Sequence, residues 1–325
     1  MDALSEALKA VHMTGAIFYH AECTAPWGFR VPPLNKVAHI LAPGTERLVS
    51  YHLVTEGRAT VNIAETEVMI EAGDILVLPP GEGHTVFNGS PANFVDSGES
   101  IGRFLAGDLK TMRLGGGGEA TRFVCGYFGC ERHADKLFLA GLPKFIKINL
   151  RGDPTGEWLE SSVRHLVSEA ASGRPGQTIL LSKMAEALFI ETLRRYMNEL
   201  PPEKIGWLAG ARDPVVGAVL AALHREPGRH WTLDELANES AASRTVVAER
   251  FNRFLSEPPL TYLARWRLRL AARLLKTTRS TVLQIASEVG YESEAAFNRA
   301  FKRELGVPPG QFRKAVSDRG DAEKN

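Results

Sequence analysis

The last hundred residues carry one pattern twice, and that duplication constrains the fold more than any other feature. Thr232 opens TLDELANES, with Glu235 three residues on to complete a capping box. A short turn at Ala241 and Ala242 follows, and Ser243 caps SRTVVAERFNRFL. In this second helix Val247, Phe251 and Phe254 fall on one face, and Thr245, Ala248, Glu249 and Asn252 on another. The pattern recurs as TVLQIASEVG, a turn at Gly290, and SEAAFNRAFKREL capped by Ser293, where Phe297 and Phe301 take the spacing of Val247 and Phe251. Phe251 and Phe301 put the two second helices 50 residues apart. Between them RWRLRLAARLLK reads as a stiff helix with an apolar stripe of Leu268, Ala271, Ala272 and Leu275. A short helix, a tight turn and a second helix with a polar outer face make a helix-turn-helix, whose second helix enters the major groove of double-stranded DNA. Two such readers on one spacer can reach successive groove segments about 34 Å apart.

The chain has 325 residues, enough for two domains, and a formal net charge of +1 that taken alone argues against a polyanionic partner. The charge is unevenly spread. Residues 213–314 hold 16 Lys and Arg against 11 Asp and Glu, and the remainder holds 23 against 27. A basic C-terminal portion joined to an acidic remainder fits one domain that meets nucleic acid and one that does not. No apolar run approaches the ~20 residues of a membrane span, and the N-terminus lacks a signal-peptide pattern. A cytoplasmic protein with no membrane partner is expected. Three cysteines are too few for a disulfide scaffold and leave free thiols, metal ligands or a redox pair.

From about residue 14 to residue 150 short alternating β-branched and aromatic runs, broken by Gly, Pro, Asn and Asp, predict a β-sandwich or barrel. From about 153 the period becomes helical: Leu159, Val163, Leu166, Val167 and Ala170, then Ile179, Leu180, Met184, Ala187 and Leu188. This antiparallel pair either packs on the β-domain or forms a homodimer seam. Asp213 and Pro214 are placed as N-cap and first residue of the next helix. The expected fold class is α+β: a β-domain over 1–152, a helix pair and linker over 153–212, an all-α double helix-turn-helix domain over 213–316, and a disordered tail over 317–325.

The run IASEVGYESEAAFNRAFKRELGVPPGQFR, with the RLRLAARLL spacer, resembles the DNA-binding domain of AraC/XylS-family bacterial transcription regulators over about residues 214–316. The resemblance implies a sequence-specific regulator, an activator rather than a repressor, acting with RNA polymerase. It places the base-reading positions on Arg244, Thr245, Ala248 and Glu249 of the first reader and on Glu294, Ala295, Asn298 and Arg299 of the second. An Asn can pair with adenine and an Arg with guanine, and Glu249 can accept from cytosine. Arg265, Arg267 and Arg273 of the spacer are open to three readings: phosphate contacts, salt bridges within the domain, or a solvated face.

In the N-terminal half GDILVLPPGEGHTVFN resembles the second motif of the cupin superfamily, G-x5-P-x-G-x2-H-x3-N, at Gly73, Pro79, Gly81, His84 and Asn88. In metal-binding cupins that His is a ligand. The first cupin motif is degenerate: its His-x-His pair falls on Pro43 and Thr45 and its Glu on Ser50. This weighs against the alternative of a cupin-type metal-dependent enzyme with an accessory DNA-binding domain. His52, two residues after Ser50, shares its strand face. His52, His84, Cys23 and Cys125 would make a closed tetrahedral zinc set. The arrangement also resembles a branch of AraC-type regulators with a cupin sensor, which implies control by oxidants or electrophiles through cysteine. Two other readings stay open: cysteines that are small buried apolar residues, and a metal-free barrel that binds a small-molecule effector. Cys130 is expected on the opposite strand face, and His20 and His39 as ordinary surface or core residues.

Overall fold

Period-two alternation sets the strands, and their pairing builds two sheets around one apolar layer. The computed structural model describes residues 2–10, 13–41, 47–97, 111–130, 142–168 and 175–322. After a short helix α1 (Ala3–Ala10) come β1 (Met13–Thr24), β2 (Trp27–Val31), α2 (Ala38–Leu41), β3 (Arg47–Glu56), β4 (Arg58–Ile63), β5 (Thr66–Glu71) and β6 (Asp74–Leu78). Next are β7 (His84–Asn88), β8 (Val95–Asp96), β9 (Met112–Gly115), β10 (Ala120–Cys130) and β11 (Ile146–Asn149). One sheet runs β11-β6-β3-β10-β1-β9 and the other β5-β4-β7-β2-β8. Phe29 of the second sheet stacks on Phe123 of the first, ring centroids 5.4 Å apart. Leu48, Val54, Leu76, Val61 and Val86 fill the same core. Gly81 of the cupin-like run has φ +65, and a Cβ there would lie 2.5 Å from the Leu48 carbonyl, so only glycine closes the turn that presents His84.

Two helices, α3 (Pro154–Ser168) and α4 (Gln177–Glu199), follow, and α4 packs on β1 and β11. Leu159, Val163, Leu188, Phe189 and Leu193 are buried. Arg151 anchors this layer: its guanidinium donates to both oxygens of Glu160 (2.9 and 2.7 Å) and to the Thr55 carbonyl (3.0 Å). Trp158, Ile179 and Leu180 face solvent.

The second unit begins at Leu200. Its helices are α5 (Trp207–Arg212), α6 (Pro214–Arg225), α7 (Leu233–Glu239), α8 (Arg244–Leu255), α9 (Pro259–Thr277), α10 (Val282–Glu288), α11 (Glu294–Leu305) and α12 (Pro309–Ala322). Asp213 caps α6, accepting from the Val215 and Val216 amides, with Pro214 in the first turn, as the sequence predicts.

Three boundaries differ from the sequence reading. The helix α1 belongs to the second unit, because Ala3, Leu4 and Ala7 are buried where it packs on α5 and α6. The segment read as a linker up to residue 212 is part of the second unit from Leu200 on, because Trp207 is buried and donates to the Tyr262 hydroxyl at 2.9 Å. Helix α12 continues through Ala322, into the segment assigned to a disordered tail, whose residues 323–325 lie outside the described residues.

Candidate nucleic-acid interface and barrel centre

The duplication in the sequence is a duplication of structure. Helices α8 and α11 are each 12 residues long and begin 50 residues apart. Ser243 and Ser293 accept from the Val246 and Ala296 amides and fix each start. Left-handed residues, Ser256 and Gly306, end each helix. Val247 and Phe251 bury one face of α8, and Phe297 and Phe301 the matching face of α11. The preceding helices carry capping boxes at Thr232/Glu235 and Thr281/Gln284. The second of these boxes was not read from the sequence, although T-x-x-Q spells it.

On the outer faces Arg244, Thr245 and Glu249 are exposed and Ala248 is half-buried, and Glu294, Ala295 and Arg299 are exposed with Asn298 half-buried. Arg244 lies 3.4 Å from Asp234, a solvated pair worth about 0–1 kcal/mol that leaves the guanidinium free to turn outward. Arg299 makes no ion pair among the described residues. Asn252 and Lys302 stand two turns beyond Thr245 and Ala295 on the same strips and extend both candidate reading surfaces. Their i+7 spacing was the available signal.

Three of the spacer arginines make contacts within the domain. Arg265 pairs with Glu257 at 2.7 Å, Arg267 donates to three backbone carbonyls, and Arg269 is nearly buried, 3.9 Å from Glu304. Of the readings left open for Arg265 and Arg267, contacts within the domain are the ones present.

In the barrel, β3 lies against β10 with His52 opposite Cys125, and β7 brings His84 from the facing sheet. His52 Nδ1 is 2.6 Å from Cys125 Sγ, and His52 Nε2 is 2.7 Å from His84 Nε2. His84 Nδ1 is 2.9 Å from the Glu82 carbonyl. Burial holds both imidazoles neutral, His84 down at about 4 and His52 well below its ordinary value. The proton positions follow. The Glu82 carbonyl can only accept, so His84 Nδ1 donates to it and His84 Nε2 accepts from His52 Nε2. His52 Nδ1 then accepts from the Cys125 thiol. The chain Cys125 to His52 to His84 to Glu82 is satisfied throughout without a formal charge.

This placement gathers three of the four candidate ligands but does not suit a zinc ion. Zinc needs each donor at about 2.0–2.3 Å from one point. The two nitrogens of His52 face opposite ways, one to Cys125 and one to His84, so the three donors do not converge. Among the described residues no three His, Cys, Asp or Glu do. Cys23 shares the same apolar core, but β1 sets it opposite Thr121, four residues from Tyr19, the β1 partner of Cys125. At the rise of a strand that is about 13 Å away. Burial pushes its thiol up to about 12, against a backbone hydrogen bond from Leu114. The sequence placed all four on inward faces, which holds for their burial, but strand faces do not fix distance along the strand. His20 is half-buried on the other face of β1. The side chains of His39 and Cys130, and residues Pro43 and Thr45, lie outside the described residues.

Residues 2–198 match the family described as Cupin, and residues 236–315 the family described as Helix-turn-helix domain. A Streptomyces lividans protein described as an AraC-like transcription regulator is 32% identical over 270 residues, 82% of this chain and 87% of its own. The HTH-type transcriptional regulator AlkR of Acinetobacter baylyi is 31% identical over 320 residues, 96% of this chain and 99% of its own. The chain belongs to the cupin-containing AraC-type transcription regulators. Another relative, the RCS-specific HTH-type transcriptional activator RclR of Escherichia coli, is 27% identical over 318 residues, 97% of this chain and 98% of its own. The AraC-type assignment makes the paired readers a DNA-binding device, and the enzyme alternative finds no support in these relatives. No described helix of the regulator is long and apolar enough to cross a membrane.

Proposed function

We propose that this regulator is a cytoplasmic transcription activator that reads two half-sites with α8 and α11 and is switched by oxidation of Cys125. The observation that carries the switch is the hydrogen-bonded chain from the Cys125 thiol through His52 to His84. In it the thiol proton has a path: Sγ gives it to His52 Nδ1 while His52 Nε2 gives its own to His84 Nε2, leaving a thiolate beside a neutral His52 and, transiently, an imidazolium at His84. The thiolate then takes the terminal OH of a small neutral hydroperoxide to give a sulfenic acid, and the departing alkoxide or hydroxide takes back the proton held on His84 and leaves as the alcohol or water. The added oxygen breaks the 2.6 Å contact between Sγ and the ring nitrogen, and so displaces Cys125 of β10 from His52 of β3. A relative named as an RCS-specific transcriptional activator supports the activator reading. Action on RNA polymerase and a homodimer joined through the exposed Trp158 face of α3 belong to the same proposal.

The test is to treat the full chain with one equivalent of hydroperoxide, map sulfenic acid by mass spectrometry, and measure operator affinity before and after. Modification is expected at Cys125, with a change in affinity that Cys125→Ser abolishes while leaving reduced-state binding intact. An unaltered response in Cys125→Ser would refute the switch. An equivalent of bound metal lost on His84→Ala would replace it with a metal-based sensor.

For the readers, Thr245, Ala248, Glu249, Ala295, Asn298 and Arg299 are proposed to face base edges, with Arg244 and Glu294 at the groove rim. Arg299→Ala is expected to relax preference at one operator position by about 1–3 kcal/mol, roughly 5- to 150-fold. Binding to a panel of single-position operator variants checks this. Equal weakening on every variant, with a shallower salt slope, would make Arg299 a phosphate contact.

A further inference from the structure

The spacer helix α9 is shared between two cores. Its first half, with Tyr262, Leu263 and Trp266 buried, packs with the first reader, and the Tyr262 ring meets Phe251 at 5.6 Å. Its second half, Leu268, Ala271, Ala272 and Leu275, is buried with Ile285, Phe297 and Phe301 of the second. Arg267 sits where the halves meet. Its Nε donates to the Pro227 carbonyl at 2.6 Å and its Nη2 to the Arg229 carbonyl at 2.7 Å, both in the loop between α6 and α7. Its Nη1 donates to the Gly290 carbonyl at 3.2 Å, in the turn between α10 and α11. One side chain therefore holds the loop that precedes the first helix-turn-helix and the turn inside the second.

Two glycines let those segments touch. A Cβ on Gly228 would lie 2.7 Å from the Glu288 carbonyl, and one on Gly290 would lie 2.6 Å from the Gly228 carbonyl. Gly290 also has φ +84, a conformation other residues adopt at a cost. The guanidinium of Arg267 is half-buried, and burial pulls its pKa down. No carboxylate lies within ion-pair distance of it among the described residues. A second brace stands along the same spacer, where Arg265 meets Glu257 after the first reader and Arg269 approaches Glu304 in the last turn of the second.

We propose that Arg267 is a positioning residue that fixes the phase between the two reading helices, and so makes the regulator select operators by the spacing of their half-sites. This rests on α8 and α11 being the readers. With readers about 34 Å apart, a rotation of about 10° at a joint midway carries each groove-facing side chain about 3 Å, close to one base-pair step. A locked joint rejects an operator with one base pair inserted, and a loosened joint accepts it. A residue that only stabilised the fold would weaken binding at every spacing alike.

The experiment takes one operator selected by the wild-type full chain and derivatives with one base pair added or removed between the half-sites. Affinities are measured by fluorescence anisotropy for wild type, Arg267→Met and Gly228→Ala, with thermal unfolding of each. The backbone at Gly228 is open to alanine, so this variant opens the joint through the Glu288 contact without removing the arginine. Wild type is expected to lose about 30-fold or more on insertion of one base pair, and each variant less than about 5-fold, with the salt slope on the original operator unchanged. An unchanged spacing penalty in either folded variant overturns the proposal. So does weakening that is uniform across spacings with a salt slope shallower by about one, which would mark Arg267 as a phosphate contact. If Arg267→Met does not fold, Gly228→Ala decides alone. A wild-type chain without any sequence preference would instead refute the readers themselves.

Discussion

Lowering the pH from 7 to 5 should destabilise both units of this regulator, well before carboxylates titrate. His52, His84 and His224 are buried and held neutral, His84 at about 4 and His224 at about 3. Once unfolded, each takes up a proton near 6.5. Between 6.5 and the folded value the unfolded chain binds more protons than the native one, so stability rises with pH across that window. Their contribution is complete above 6.5 and is lost as pH falls towards 4. Each imidazole costs about 1.4 kcal/mol per pH unit, hence about 2 kcal/mol between 6.5 and 5. His52 and His84 act on the cupin unit. His224, stacked on Trp266 at 4.0 Å and bonded through Nε2 to the Tyr262 hydroxyl at 2.7 Å, acts on the other. Calorimetry from pH 7.5 to 5 should show both transitions moving down, and His224→Gln should flatten only the second. A flat or rising stability below 6.5 would mean these rings are not buried neutral.

Phe301→Ala should remove about 3–5 kcal/mol from the second unit. Phe301 is fully buried, 5.4 Å from Phe297 and 5.5 Å from Phe312, at the centre of the second reader's core. A domain's whole stability is about 5–15 kcal/mol, so this loss brings the reader close to unfolding and should abolish operator binding near its melting range. Urea unfolding followed by circular dichroism is the check. The cupin transition should stay in place while the helical one shifts to lower urea. A change below 1 kcal/mol would contradict the core assignment and, with it, the equivalence of Phe301 and Phe251.

The readers were legible because their signals are local. Ser243 and Ser293 cap within three residues, and Val247/Phe251 and Phe297/Phe301 repeat one turn apart, so periodicity alone set both helices and their 50-residue offset. The repeat runs further than the sequence reading took it: α9 and α12 both open at the second proline of a Pro-Pro pair, Pro259 and Pro309, again 50 apart. The inward direction of His52, His84 and Cys125 followed from strand alternation and one cupin-like run. Distance along strands did not, which is why Cys23 joined the candidate set and the structure sets it apart. The role of Arg267 left no sequence pattern, because its three acceptors are backbone carbonyls carried by any residue. The placement of α1 on α5 and α6 is a contact across some two hundred residues, beyond the reach of any local period.

One chain with two equivalent reading helices should recognise two half-sites. The most direct measurement is selection of DNA bound by the full chain from a random duplex pool, followed by sequencing, for wild type, Arg299→Ala and Glu249→Ala. Two distinct enriched half-sites are expected, with centres about 10–10.5 base pairs apart, Glu249→Ala degrading one and Arg299→Ala the other. A single enriched half-site, or one in which both substitutions degrade the same positions, would contradict it.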